Sequence, residues 1–115
     1  MEVDRKATQY SILSPQYSKI MYLEIVTPEA IVFQAEVEAV KVPGIEGEFQ
    51  MLNHHAAIVS LLVAGEVKIN LASADSKFLK DLPKDFRIEG TNVLFYPVKG
   101  GVLEMKDNKA IILAD

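Results

Sequence analysis

Val67, Ile69 and Leu71 alternate with Glu66, Lys68 and Asn70. A period of two puts the apolar side chains on one side of an extended backbone, so this stretch buries its apolar set only as a β-strand. Much of the chain reads the same way. Residues 23–28 form a short strand halted by Pro28, which cannot donate to a ladder. Residues 30–35 read as another. Between residues 37 and 42 the apolar positions begin odd (Val37, Ala39) and end even (Val40, Val42). That change of face predicts a β-bulge near Ala39. Phe49 and Met51 alternate against Glu48 and Gln50. Residues 56–64 are almost continuously apolar, and their length and neighbours favour a strand over a buried helix. Gly65 breaks that run, which makes residues 66–71 the expected second arm of a hairpin. Residues 93–98, 102–105 and 110–113 complete the series. Lys99-Gly100-Gly101 is a bend or close backbone approach, and Asp107-Asn108 a turn pair. Eight to ten short strands with almost no helical periodicity amount to an all-β fold, an antiparallel sandwich or barrel.

Two stretches depart from this pattern. Residues 1–20 are polar, contain Ser14-Pro15 and show neither period. They read as a flexible arm or a leader, with Met21 as an alternative start and residues 21–115 as one domain. Residues 72–92 hold four acids balanced by four bases. They read as a solvated excursion between strands, with a helical turn over 76–82 that Pro83 would end.

Chemistry has little to work with. The chain has no cysteine, which removes disulfides, thiolate metal sites and cysteine nucleophiles together. Its net charge of -4 argues against nucleic acid. From Glu24 to Glu66 seven acids face one base, Lys41, a local net charge of -6 that exceeds the whole-chain value. No apolar run approaches the ~20 residues of a membrane span, and the N-terminus lacks the basic-then-apolar order of a signal peptide. The expected location is cytoplasmic, or on a larger body facing that side. His54-His55 would point to opposite faces of a strand and cannot easily share a metal, so the pair reads as one polar contact and one surface residue. Gly44-Ile45-Glu46-Gly47 lacks the Lys-Ser/Thr and the helix of a phosphate loop. Glu46 and Glu48 have no nucleophile or oxyanion donor beside them, and read as solvated or partner-facing. Phe49, Met51, Ile58 and Leu61 read as core. No catalytic residue, metal site or cofactor is expected.

Taken in order, the motifs resemble a known family, the N-terminal domain of the ε subunit of F-type ATP synthase. The resemblance rests on Leu23-Glu24-Ile25-Val26-Thr27-Pro28-Glu29, then Val40-Lys41-Val42-Pro43-Gly44-Ile45-Glu46-Gly47-Glu48-Phe49, then Leu52-Asn53-His54-His55-Ala56. Gly65-Glu66-Val67-Lys68-Ile69, Gly100-Gly101-Val102-Leu103-Glu104-Met105 and the closing Asn108-Lys109-Ala110-Ile111-Ile112-Leu113-Ala114-Asp115 extend it over residues 22–115. It implies an antiparallel β-sandwich of about ten strands in two sheets. It also implies a noncatalytic rotor subunit at the foot of the central stalk, coupling the proton-driven membrane ring of c subunits to the γ subunit and so to ATP synthesis. By position, Gly44, Glu46, Gly47 and Glu48 match the end that meets the c ring. Thr27, His55 and Ala56 match the side that meets γ. The family's usual Pro-Gly before its histidine is replaced here by Asn53-His54, and the proline two positions after it by Ala57. Many members continue past Leu-Ala-Asp into two helices that bind ATP and brake hydrolysis. This chain ends at Asp115, so the resemblance implies the sandwich without that brake unless the chain has been cut. The alternative is a β-barrel or sandwich that binds a small ligand, or an adaptor that presents a sheet edge to peptides.

Overall fold

The computed structural model describes residues 21–72 and 82–115. Among these, nine strands and no helix are present: β1 (Met21–Val26), β2 (Ile31–Gly44), β3 (Gly47–Leu52), β4 (Ile58–Leu62), β5 (Gly65–Leu71), β6 (Arg87–Glu89), β7 (Val93–Val98), β8 (Gly101–Lys106) and β9 (Lys109–Ala114). Strand β2 organises them. Its first half pairs with β1, behind which β9, β8 and β4 follow in order. Its second half pairs with β3 on one side and with β5 on the other, and β7 and β6 follow β5. The result is a mostly antiparallel β-sandwich whose two sheets share one long strand. The pairing of β1 with β9 is parallel, in register from Tyr22 with Lys109 to Val26 with Leu113.

The bulge expected near Ala39 is present: the β2–β5 register shifts between Val37 and Ala39. It lets one strand serve both sheets, because the buried position is Val37 before the shift, while Ala39, Val40 and Val42 are buried after it. Three sequence expectations need correction. Residues 30–35 and 37–42 are not two strands but parts of the fourteen-residue β2. Polar Glu36 and Glu38 interrupt the apolar pattern there only because they stand on its outward side, both exposed. Residues 66–71 are not a hairpin arm for β4. Strand β5 pairs with β2 and β7, so the chain crosses between sheets at Gly65. The crossing is tight: a Cβ on Gly65 would fall 2.9 Å from Pro43 Cβ. Finally, the excursion over 72–92 contains a strand, the short β6, all three of whose residues are exposed. The expected helical turn falls mainly outside the described residues, as do residues 1–20.

The space between the sheets is filled. Leu23, Ile25, Leu103, Met105 and Ile112 from one sheet meet Val40, Val42, Met51, Ile69 and Leu94 from the other, all at 1% exposure or less. Each fully buried Leu or Ile contributes about 1.5–3 kcal/mol. Exposed ion pairs such as Arg87 with Glu66 at 2.9 Å contribute about 0–1 kcal/mol. The core therefore holds the fold, and the surface charges are left to other uses.

Tyr96 lies at the margin of this core, 7% exposed, with its ring 4.7 Å from that of Phe86. Burial, reinforced by the negative charges of Asp85 and Glu29, raises its pKa above the usual tyrosine value. The folded state thus holds the phenolic proton more tightly than the unfolded chain does. The resulting stability is complete below the unfolded pKa of about 10 and is lost as pH rises through the folded value. Thermal unfolding between about pH 9 and pH 11 should show a shallower alkaline loss for Tyr96→Phe than for the parent chain.

Candidate functional site

At one end of the sandwich β2 and β3 meet in a two-residue hairpin with Ile45 and Glu46 at its tip. Pro43 and Gly44 lie within β2, ahead of the turn. Pro43 has no N–H, so its pair with Glu48 is a non-hydrogen-bonded one, flanked by hydrogen-bonded pairs at Val42–Phe49 and Gly44–Gly47. Gly44 has no room for a side chain: a Cβ would stand 2.8 Å from the Gly47 carbonyl oxygen and from Phe49 Cε1. Gly47 supplies a φ of +122° at the exit. The backbone is anchored to β4, with Ile45 N–H donating to Leu61 O at 3.0 Å and Val63 N–H to Pro43 O at 2.9 Å. A fixed base therefore carries an exposed tip. Glu48 lies 3.7 Å from Lys41 Nζ, with both side chains solvated. Glu46 has no ion-pair partner among the described residues. The structure thus gathers Gly44, Glu46, Gly47 and Glu48 on one small acidic projection.

Thr27, His55 and Ala56 are not gathered. Thr27 closes a turn after β1, its N–H donating to Ala30 O at 2.8 Å. His55 and Ala56 precede β4 at the opposite end of the same sheet, with His55 Nδ1–H donating to the Ala56 carbonyl at 2.7 Å. Strand spacing and rise put the two corners roughly 20 Å apart. Between them lies a feature that the sequence reading missed. Leu61, Val102, Leu113 and Val26 are cross-strand neighbours on the outward face of β4, β8, β9 and β1. Leu61 is 55% exposed and Leu113 53%. Val59, at 69%, extends the patch. Leu61 had been read as core. The correction has a simple cause, since residues 56–64 are apolar on both faces and periodicity cannot say which side meets water. Ile58 and Phe49 are half-buried against the core, and Met51 is fully buried. Contiguous exposed apolar rows of this kind mark docking surfaces.

The turn before His55 is strained. His54 has φ +66° and its N–H donates to Asn108 Oδ1 at 2.7 Å, while Asp107 and Asn108 have φ +53° and +63°. The last two make the β8–β9 hairpin a mirror-type turn, as their residue types suggest. A left-handed conformation costs a non-glycine residue about 1–2 kcal/mol, against about 0.5–1 kcal/mol of extra chain entropy for glycine. His54→Gly keeps the backbone bond to Asn108 and should stabilise the fold by about 0.5–1 kcal/mol, read from the urea midpoint.

Concavities on the described surface are shallow grooves. One of about 410 Å³ separates the β2–β3 hairpin from β4, and one of about 480 Å³ lies beside His54, His55 and Asn108. Among the described residues no three His, Asp or Glu side chains converge as a metal site, and no helix is long and apolar enough to cross a membrane. The arrangement suits contact with macromolecules.

Comparison with known proteins agrees with that geometry. Residues 20–80 match the family model for the ATP synthase delta/epsilon chain β-sandwich domain. The chain belongs to this family. Its relatives include the ATP synthase epsilon chain of Dehalococcoides mccartyi, 38% identical over 93 residues, 81% of this chain and 54% of that one. The ATP synthase epsilon chain of Chlorobaculum tepidum is 33% identical over 97 residues, 84% of this chain and 91% of that one. The chain therefore spans about half the length of the first relative and nearly all of the second. Among solved structures, a chain of the Euglena gracilis mitochondrial ATP synthase, in a structure containing OSCP, F1 and the c ring, superposes with a TM-score of 0.64 at 19% identity, covering 84% of this chain and 51% of that one. A chain from the central stalk and c ring of the Tetrahymena thermophila mitochondrial enzyme gives 0.58 at 20% identity, covering 84% and 63%. At these identities the structural likeness speaks for the fold alone. The epsilon-family sandwich agrees with the sequence reading in class and layering. The strand count among the described residues is nine.

Proposed function

We propose that this epsilon-family domain is a noncatalytic rotor subunit of an F-type ATP synthase, joining the c ring at one end of its sandwich to γ on one face. The observation that carries this reading, beyond family membership, is the separation of two unlike surfaces on one rigid body. The hairpin of Gly44, Glu46, Gly47 and Glu48 projects acidic side chains from the sandwich end and meets the polar loops of the ring. The face bounded by Thr27 at one corner and by His55 and Ala56 at the other meets γ, with Leu61, Val102, Leu113 and Val26 as its apolar centre. Torque transfer needs a body that does not yield, and the filled core supplies one. A large apolar patch with a polar margin suits a lasting contact, whereas a charged tip suits a wetter one. In this role the domain sits on the cytoplasmic side of the membrane, held there by the complex. A small-ligand barrel finds no support in a sandwich whose interior is occupied by side chains. Capture of purified γ at micromolar concentration tests the proposal. Stable one-to-one binding is expected, and failure to bind γ would sink the rotor role.

A further inference from the structure

Strands β3 and β4 border the same groove without bonding to each other. Hydrogen-bonded pairs at Val42–Phe49 and Gly44–Gly47 turn the N–H and C=O of Glu48, and by alternation those of Gln50, away from β2. Among the described residues β3 has no second neighbour. On the facing strand, the bonds from Ile45 to Leu61 and from Val63 to Pro43 direct the odd-numbered peptide groups of β4 toward β2. The peptide groups of Val59 then face the groove, because Ser60 and Leu62 spend theirs on β8. The groove holds about 410 Å³ and is lined by Gly44 to Phe49 on one side and Ile58 to Leu61 on the other. Phe49 and Ile58, both half-buried against the core, form an apolar floor. Glu46 and Glu48 stand on the rim, and the exposed Glu104, in register with Val59 on β8, lies one strand behind it. Free backbone edges on two walls, an apolar floor and an acidic rim are the requirements of strand addition.

We propose that the groove between β3 and β4 takes an extended peptide segment of a partner protein. The segment hydrogen-bonds to the free edge of β3, places apolar side chains on Phe49 and Ile58, and turns basic side chains outward to Glu46 and Glu48. Alternation makes these demands compatible, since successive residues of a strand face opposite sides. The inference does not depend on the rotor reading, because it rests on strand pairing, the apolar floor and the exposed carboxylates.

The test is a titration of the purified chain with a blocked peptide of alternating valine and lysine, followed by amide exchange and NMR shifts. Slowed exchange at Glu48, Gln50 and Val59, with side-chain shifts at Phe49 and Ile58, is expected. The same peptide N-methylated at alternate residues should bind at least tenfold more weakly, and the valine–glutamate version likewise. In the protein, Gln50→Pro removes one outward donor and none that bonds β2. It should weaken binding at least tenfold while circular dichroism stays unchanged. Where that variant fails to fold, the methylated peptide still decides. Equal affinity of the methylated and plain peptides, or protection on the free edge of β6 instead, would overturn the proposal. So would protection of the same amides that rises with protein concentration without peptide, since the occupant would then be a second copy.

Discussion

The double substitution Leu61→Asp with Leu113→Asp is expected to lower affinity for γ by at least about 100-fold while leaving the domain folded. Both side chains are more than half exposed. Losing them removes little core burial, and the penalty to the sheet is confined to aspartate's poor fit to strands, within about 1 kcal/mol each. The effect on docking is of another size. Val102 stands between the two leucines in register and is itself half-buried, so in a complex with γ the row Leu61–Val102–Leu113 would be fully desolvated at its centre. Truncating a leucine in such a row costs about 1 kcal/mol or less, whereas a buried carboxylate left without a partner costs several kcal/mol. Calorimetry with γ reads the affinity, and urea unfolding reads the fold. Unchanged binding by a folded double variant would move the γ contact off this face. The milder pair Leu61→Ala with Leu113→Ala separates lost contact from added charge, and a tenfold loss is expected there.

That surface is also where sequence reasoning stopped. Strand periodicity, the bulge at Ala39 and the turn at Asp107-Asn108 were all legible, because each follows from local sterics and alternation. The exposure of the acidic turn was legible too, since Glu46 and Glu48 between glycines do not suit a core, whereas whether it meets solvent or a partner was not. Leu61 was not. A core leucine and a docking leucine are chemically identical, and in residues 56–64 the apolar pattern runs through both faces. The place of β5 was hidden for a related reason. The glycine that permits a hairpin also permits a sheet crossing, and only the distant Pro43, packed on Gly65, distinguishes the two. The corners at Thr27 and His55, proposed to face γ, came from family resemblance, and nothing local to either could show that they lie at opposite ends of one sheet. The unpaired edge of β3 is a property of what is absent beside it, and no single stretch of sequence records an absence.

Charge reversal at the hairpin, Glu46→Lys with Glu48→Lys, is expected to abolish coupling between proton flow and ATP synthesis while sparing γ binding. Neutralisation would not suffice. Exposed ion pairs are worth about 0–1 kcal/mol each, so Glu46→Gln with Glu48→Gln should weaken the hold on the ring only severalfold. Reversal would set like charge against the basic side chain that an acidic tip calls for on the proposed ring loop, and mispaired like charges across an interface cost several kcal/mol. Lys41 enlarges the effect, because its ammonium, 3.7 Å from the Glu48 carboxylate, would then face a second cation beside it. The fold should tolerate the change, since Glu46 and Glu48 are exposed and the hairpin is fixed by Gly44, Gly47 and the backbone bonds to Leu61 and Val63. Three measurements keep the causes apart: ring binding and coupled synthesis should fall, affinity for γ should hold, and rising salt should partly restore the ring contact of the double lysine variant. Loss of γ binding as well would mean a damaged fold. Full coupling with the charges reversed would place the ring contact elsewhere on the sandwich.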